Sequence, residues 1–287
     1  MLTRLHPLEP TRLAIRRALV RRHLRAVATG SDQTLRIDLH DGDVDSAGLL
    51  VEMLTPLDPD SDPFRRVASA MRRSATGDAV IDGLASRESV VRARSARIAG
   101  AMRMEEVVPW LAPLLWSKAS FVHDSAARAL ARIGGVRSAD ALVAALQQLG
   151  PKPSLIVALA RAAPDLYLEA VIGGSLPRAV QPAVAMAAGL RGHRTATAAL
   201  ILQLRSGGRR ARTASCRALG WLGAPAGVPE LTLALEHRDW RIRMSAAKAL
   251  GAIPGYRPGP QLRGCVEDRN PRVRRSARDA LRRASLR

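Results

Sequence analysis

DWRIRMSAAKALGAI, residues 239–253, is the clearest copy of a pattern that recurs along the chain. It reads apolar, basic, two variable residues, two small ones, one variable, one small, a larger apolar residue and then Gly or Ala. Here that runs from Ile242-Arg243 through Ala246-Ala247 and Ala249-Leu250 to Gly251. Copies begin seven times, at Val91, Val122, Pro151, Val180, Ala211, Ile242 and Val273, separated by 31, 29, 29, 31, 31 and 31 residues. On a helix, offsets 4, 8 and 11 from the first residue share a face, as Val122, Ala126, Leu130 and Ile133 do. Small residues at offsets 7 and 9, such as Ala218 with Gly220 and Ala249 with Gly251, leave room for a neighbouring helix to come close. A helix with so thin a face cannot bury itself alone.

Second apolar stretches of about three turns lie between the copies: 105–116, 139–148, 165–172, 195–204 and 227–236. Val108-Pro109 and Val228-Pro229 stand at equivalent places near the start of two of them, where a missing proline amide is tolerated because first-turn N–H groups have no intrahelical partner. Gly134-Gly135, Gly173-Gly174, Gly207-Gly208, Gly223 and Pro254-Gly255 supply the connectors. Two helices per unit at a period near 30 residues predict an all-α fold, an α-solenoid of stacked helix pairs.

DWRIRMSAAKALGAI (239–253) and RNPRVRRSARDALRR (269–283) resemble HEAT-like repeats of the short bacterial kind first associated with phycobilisome bilin lyases, over roughly residues 63–287. The resemblance implies fold far more than activity, since such repeats serve lyases, hydroxylases, DNA glycosylase relatives and plain adaptors. It also implies that the second-position arginine pairs with an Asp of the preceding turn, as Asp239 is placed for Arg243 and Asp268 for Arg274.

The expected division is a non-repeating segment, 1–62, followed by the repeat solenoid, 63–287. Residues 63–84 form a degenerate first pair, and Arg278 and Arg282 replace small residues in the last copy, as in a polar terminal cap. Residues 1–28 hold seven arginines against Glu9, with Leu13, Val20, Leu24 and Val27 on one helical face. This basic amphipathic helix is expected to cap the first repeats, with an anionic membrane surface as the alternative partner. Nine acids against Arg36 follow between Ser31 and Asp62, enough to neutralise a basic surface of the same molecule.

With 287 residues and 3% aromatics, the chain suits thin helix-on-helix layers better than one thick core. No apolar run approaches the roughly 18 residues of a membrane span, and no leader pattern opens the chain, so a soluble, cytoplasmic protein is expected. The net charge is +20, nearly all of it arginine, with lysine only at 118, 152 and 248. An Arg-, Ala- and Gly-rich, lysine-poor composition also reflects GC-rich coding, so clustering carries the argument rather than the total. Arg205, Arg209, Arg210, Arg212 and Arg217 have no acid among them, and residues 257–287 hold ten arginines against three acids. Arg209, Arg210, Arg212, Arg243, Arg272 and Arg275 are the candidate binding surface, able to neutralise phosphates, anionic lipid or an acidic protein.

No catalytic set can be assembled from the sequence. Cys216 and Cys265 form no CxxC pair and are expected to be structural, and the six histidines lack HExxH spacing. Repeat-containing metal hydroxylases use His-Glu pairs, whereas this chain has only the reversed Glu236-His237. In 41–45, Asp-Gly-Asp-Val-Asp, glycine falls at the second position of a would-be calcium loop instead of the sixth, so a turn is expected. Phosphate-loop, nucleophile-elbow and dinucleotide signatures are missing. Of the four tryptophans, Trp110 and Trp221 are expected in the core, and no motif carries a glycosylase or bilin-lyase site onto this chain. The expectation is therefore a scaffold without catalytic residues, cofactor, metal or small-molecule substrate, holding a protein partner on its concave surface. The alternative is a nucleic-acid-binding solenoid in which the six arginines form one stripe.

Overall fold

A computed structural model describes residues 9–37, 45–174 and 176–285. Among these, every regular element is helical, in two compact units, Met1–Ile133 and Gly134–Arg287. The first unit contains α1 (Glu9–Thr29), α2 (Ser46–Leu54), α3 (Asp62–Arg72), α4 (Ala75–Leu84), α5 (Ser89–Ala101), α6 (Val108–Leu114) and α7 (Ser120–Ile133). The second contains α8 (Gly135–Leu149), α9 (Pro153–Ala162), α10 (Asp165–Gly173), α11 (Gln181–Arg191), α12 (Thr197–Ser206), α13 (Arg209–Leu222), α14 (Val228–Ala234), α15 (Trp240–Leu250), α16 (Pro260–Gly264) and α17 (Pro271–Ser285).

The seven pattern copies are α5, α7, α9, α11, α13, α15 and α17, hereafter the pattern helices. Each packs on the helix that precedes it, which is the shorter of the two except for α8 before α9, and within each unit the pattern helices also pack on one another. Leu130, Leu159, Leu219 and Leu250, all at offset 8, are fully buried, each contributing on the order of 1.5–3 kcal/mol. α9 and α11 begin one or two residues later than the pattern starts, because Pro153 and Pro182 take the first turn. Pro109 and Pro229 occupy the first turns of α6 and α14, as expected. Those two helices are shorter than the expected three turns because their apolar stretches open as 3-10 turns, Glu105–Val107 and Pro225–Gly227.

Backbone approach sets the spacing of the pattern helices. A Cβ on Gly189, Gly220 or Gly251 would lie 2.7, 2.8 or 2.6 Å from the Cα of Ala218, Ala249 or Ala280 on the next helix. Gly100 meets Ala129 in the same way, at 2.6 Å, in the first unit. Small residues at offsets 7 and 9 are therefore required on both sides of each contact. In α17, where offset 9 becomes Arg282, that side chain is exposed, as is Arg278.

Four of the seven turns before pattern helices share one device. The side chain five residues before the pattern start accepts a hydrogen bond from the backbone N–H two residues on: Ser86 from Glu88, Ser117 from Ala119, His237 from Asp239 and Asp268 from Asn270, at 2.8–3.3 Å. The second-position side chain donates back to the turn carbonyls. Arg92 reaches Ser86 and Arg87, Arg212 reaches Gly207, Arg243 reaches His237 and Arg238, and Arg274 reaches Asp268 and Arg269. His123, at the same position in α7, uses Nδ1 toward the Leu115 carbonyl at 2.6 Å.

α1 packs on α3 and α2, with Leu24 and Val27 buried and Val20 half-buried, while Ile15 and Leu19 on its N-terminal half are exposed. The side chain of Leu13 lies outside the described residues. Among the described residues, two acids of the leading segment meet this helix: Glu52 pairs with Arg21 and Asp32 with His23. The Asp-Gly-Asp-Val-Asp stretch lies outside the described residues except for Asp45, whose carboxylate accepts from the Gly48 N–H at 2.8 Å and caps α2.

Gly220→Ala is expected to lower stability by about 1–3 kcal/mol through forced separation of α13 and α15, although helix propensity alone would raise it by about 1 kcal/mol. Gly264→Ala, at the end of α16 with nothing within 4 Å of the added methyl, should instead raise the urea midpoint slightly, by up to about 1 kcal/mol of stability.

Candidate functional site

In the second unit, offsets 2, 6 and 10 of successive pattern helices lie on the side turned away from the helices that precede them and form an open face. From α13 through α15 to α17 this face is a groove of about 660 Å³ lined by Thr213, Arg217, Trp221, Met244, Lys248 and Arg283, with Asp279 as its acid. Trp221 lies under the guanidinium of Arg217, 5.1 Å from the ring centroid. On α11 and α9 the corresponding positions are Met186, Leu190 and Val157. Val157, Leu190 and Trp221 are 43%, 48% and 45% exposed.

Trp221 was expected in the core and is not there. It is four residues beyond Arg217 and eight beyond Thr213, so it shares their solvent side while Ala218, Leu219 and Leu222 take the buried side. Trp110, 44% exposed, is likewise outside the core. It occupies the place in α6 that Glu230 holds in α14.

The six candidate arginines separate into three groups. Arg243 is buried, 6% exposed, and makes a two-pronged ion pair with Asp268: Nε to one carboxylate oxygen at 2.7 Å and Nη2 to the other at 2.9 Å. Arg212, half-buried, holds the Gly207 carbonyl at 2.7 Å. These two hold turns rather than face solvent. Arg275 is exposed at offset 2 of α17, in the column of Thr213 and Met244 on the open face. Arg209, Arg210 and Arg272 are exposed at the N-terminal edge of the pattern helices.

The expected pairing of each second-position arginine with the Asp of its own preceding turn is corrected. Asp268 reaches back 25 residues to Arg243 in the preceding repeat, and Arg274 takes the carbonyls of Asp268 and Arg269 instead. Asp239 faces Arg209 and Arg241, each at 3.8 Å. The Arg243–Asp268 pair thus runs between repeats: with Nη1 occupied by its own turn carbonyls, Arg243 presents Nε and Nη2 to the next repeat.

Electrostatics follow from these contacts. Hydrogen bonds from Arg243 hold the Asp268 carboxyl below the usual carboxylate range, and the partner raises Arg243 in turn. His237 is lowered, first by burial and then by the charges of Arg212, Arg238 and Arg243, which keeps its Nδ1 free to accept from the Asp239 N–H. Burial pushes the Cys216 thiol up to about 12, far from a reactive thiolate, and Cys265 is also raised by burial. Among the described residues, no group of three or more His, Cys, Asp and Glu side chains is placed to hold a metal ion. No helix among them is long and apolar enough to cross a membrane.

The HEAT repeats family matches residues 77–151 and 197–282. The chain belongs to that family. Its fold is the α-solenoid of stacked helix pairs, and the matched residues include the groove-forming HEAT repeats of α13, α15 and α17. Among solved structures, human deoxyhypusine hydroxylase in complex with glycerol is similar at 19% identity, with 98% of this chain and 100% of that chain covered and a TM-score of 0.38. A mutant of Kap121p is similar at 12% identity, over 94% of this chain and 37% of that chain, with a TM-score of 0.43. An engineered protein is similar at 20% identity, over 93% and 68%, with a TM-score of 0.37. No curated protein matches the chain.

Reading along each HEAT repeat missed Val157, Leu190, Trp221, Lys248 and Arg241. Comparing one offset across repeats was the available signal: offset 10 runs Arg161, Leu190, Trp221, Ala252, Arg283, a column that no common buried role explains.

Asp268→Asn should destabilise the chain by about 3 kcal/mol at neutral pH, since it leaves a buried guanidinium without its counter-charge. The wild-type pair contributes fully above the ordinary carboxylate pKa, about 3.9, and its contribution is lost as pH falls through the depressed folded value. Urea titrations between pH 7 and 2 should therefore show a steeper acid loss in wild type than in Asp268→Asn.

Proposed function

We propose that this chain is a non-catalytic HEAT-repeat scaffold that holds a protein partner on the open face of its second unit. The observation that carries this reading is the line of exposed apolar side chains, Val157, Leu190 and Trp221, on three successive pattern helices. Large apolar groups recurring on one face of a stack have no folding role there, and protein interfaces are anchored by such groups, tryptophan above all. Arg161, Arg217, Lys248, Arg275 and Arg283 bring five cations to the same face, against Asp279. The partner segment this arrangement suits has an aromatic or branched aliphatic anchor for the Leu190–Trp221 region and acidic residues beyond it.

Selection of random peptides on the immobilised full chain tests the reading. Enriched peptides should share an apolar anchor followed by Asp or Glu, and Trp221→Ala should weaken their binding at least tenfold, the loss expected of an interface anchor. Enrichment without that motif, or binding indifferent to Trp221→Ala, would contradict the assignment. The same peptides should bind with unchanged affinity to Trp110→Ala, whose side chain is in the first unit.

A further inference from the structure

The residue immediately before each pattern start reads Val90, Phe121, Gly150, Ala179, Arg210, Arg241, Arg272 along the chain. The last three place an exposed guanidinium at the same position on α13, α15 and α17, consecutive neighbours in the second unit. Helix packing sets the rungs roughly 8–10 Å apart. Trp240 lies between two of them, with Arg241 at 4.7 Å and Arg272 at 5.3 Å from its ring centroid. Exposed Arg209, Arg238 and Arg269 flank the rungs on the same edge.

The acids of this edge are mostly engaged. Asp268 is held by Arg243, and Asp239 accepts from the Arg241 backbone N–H while standing 3.8 Å from Arg209 and Arg241. Among the described residues, Arg210 and Arg272 have no carboxylate within 4 Å, and Glu236 and Glu267 are the other acids of these turns. We infer that the Arg210–Arg241–Arg272 ladder is a binding site for the phosphate backbone of a nucleic-acid strand.

Two features favour a nucleic acid over an acidic protein. Cations repeating at one position of a repeat match a polymer whose charge also repeats, and guanidinium groups engage phosphate with two parallel hydrogen bonds. The edge also lacks the anchors of a protein interface: residues 207–212, 236–243 and 267–275 include no exposed large apolar side chain. Affinity at such a site comes from counterion release and is insensitive to base sequence. The ladder is one helical turn away from the groove, so its occupancy does not depend on the partner assigned to the open face.

Fluorescence anisotropy of the full chain with a labelled single-stranded 20-mer and the matching duplex, across a salt series, tests the ladder. The variant Arg210→Gln/Arg241→Gln/Arg272→Gln should lose at least tenfold in affinity at about 0.1 M salt and flatten the salt slope on the single strand by about 2, from roughly 0.7 per phosphate contact. A control that removes the same charge from exposed Arg97, Arg128 and Arg137 of other repeats should lose less than threefold. Arg210→Glu alone, at a rung with no side-chain partner among the described residues, should lose about as much as the triple variant while keeping the wild-type melting temperature. Equal losses in ladder and control variants would overturn the site, as would an Arg210→Glu chain that binds like wild type. Displacement of the strand by polyglutamate at equal charge concentration would overturn the nucleic-acid assignment. A Trp221→Ala chain should bind the strand normally, which separates this site from the groove.

Discussion

The approach of Gly189, Gly220 and Gly251 to Ala218, Ala249 and Ala280 governs the second unit. With no Cβ on one side and a single methyl on the other, adjacent pattern helices come within backbone contact, and every other position on them is placed by that spacing. Offset 8 is then turned to the preceding helices, as leucine in every pattern helix of the unit but α11, where it is Ala188, and offsets 2, 6 and 10 are left to solvent. The shorter helices α10, α12 and α14 meet one another much less than α11, α13 and α15 do. Tight spacing is thus a property of one column, and that column carries both the groove and the arginine ladder.

The turns preceding the pattern helices divide the arginines between structure and surface. At the second position the guanidinium satisfies turn carbonyls that would otherwise end a short helix without partners. In Arg243 it also binds the carboxylate of the following repeat, so the link between repeats is an ion pair largely removed from water. Two residues earlier the side chain points outward, and Arg241 stands 3.8 Å from Asp239 and over the Trp240 ring. A net charge of +20 therefore says little by itself, because arginines two positions apart in one repeat do opposite jobs.

Much of the fold was legible. The interval of 29 to 31 residues and the small offsets 7 and 9 identify pattern helices and their stacking before any coordinates. Proline in the first turns of α6 and α14 was legible for the same reason, since it follows from backbone hydrogen bonding within one helix. The site was legible only in part. Arg243 and Arg210 are both arginines in basic clusters, and what separates them is a carboxylate 25 residues away that no local rule points to. Trp221 was misplaced because its size suggested burial, whereas its phase relative to Thr213 and Arg217 places it outside. Phase within the repeat was the better guide than residue type, and the ladder at 210, 241 and 272 emerges only when phase is read across repeats.

Both proposed surfaces depend on equal offsets falling into line at one helix spacing in the second unit. Pulsed dipolar spectroscopy on spin labels attached at positions 210 and 272 measures this directly. Two packing steps predict a single distance distribution centred near 16–20 Å, broadened by the label tethers. A centre beyond roughly 30 Å, or several separated distances, would show that α13, α15 and α17 are not stacked in register and would contradict the account.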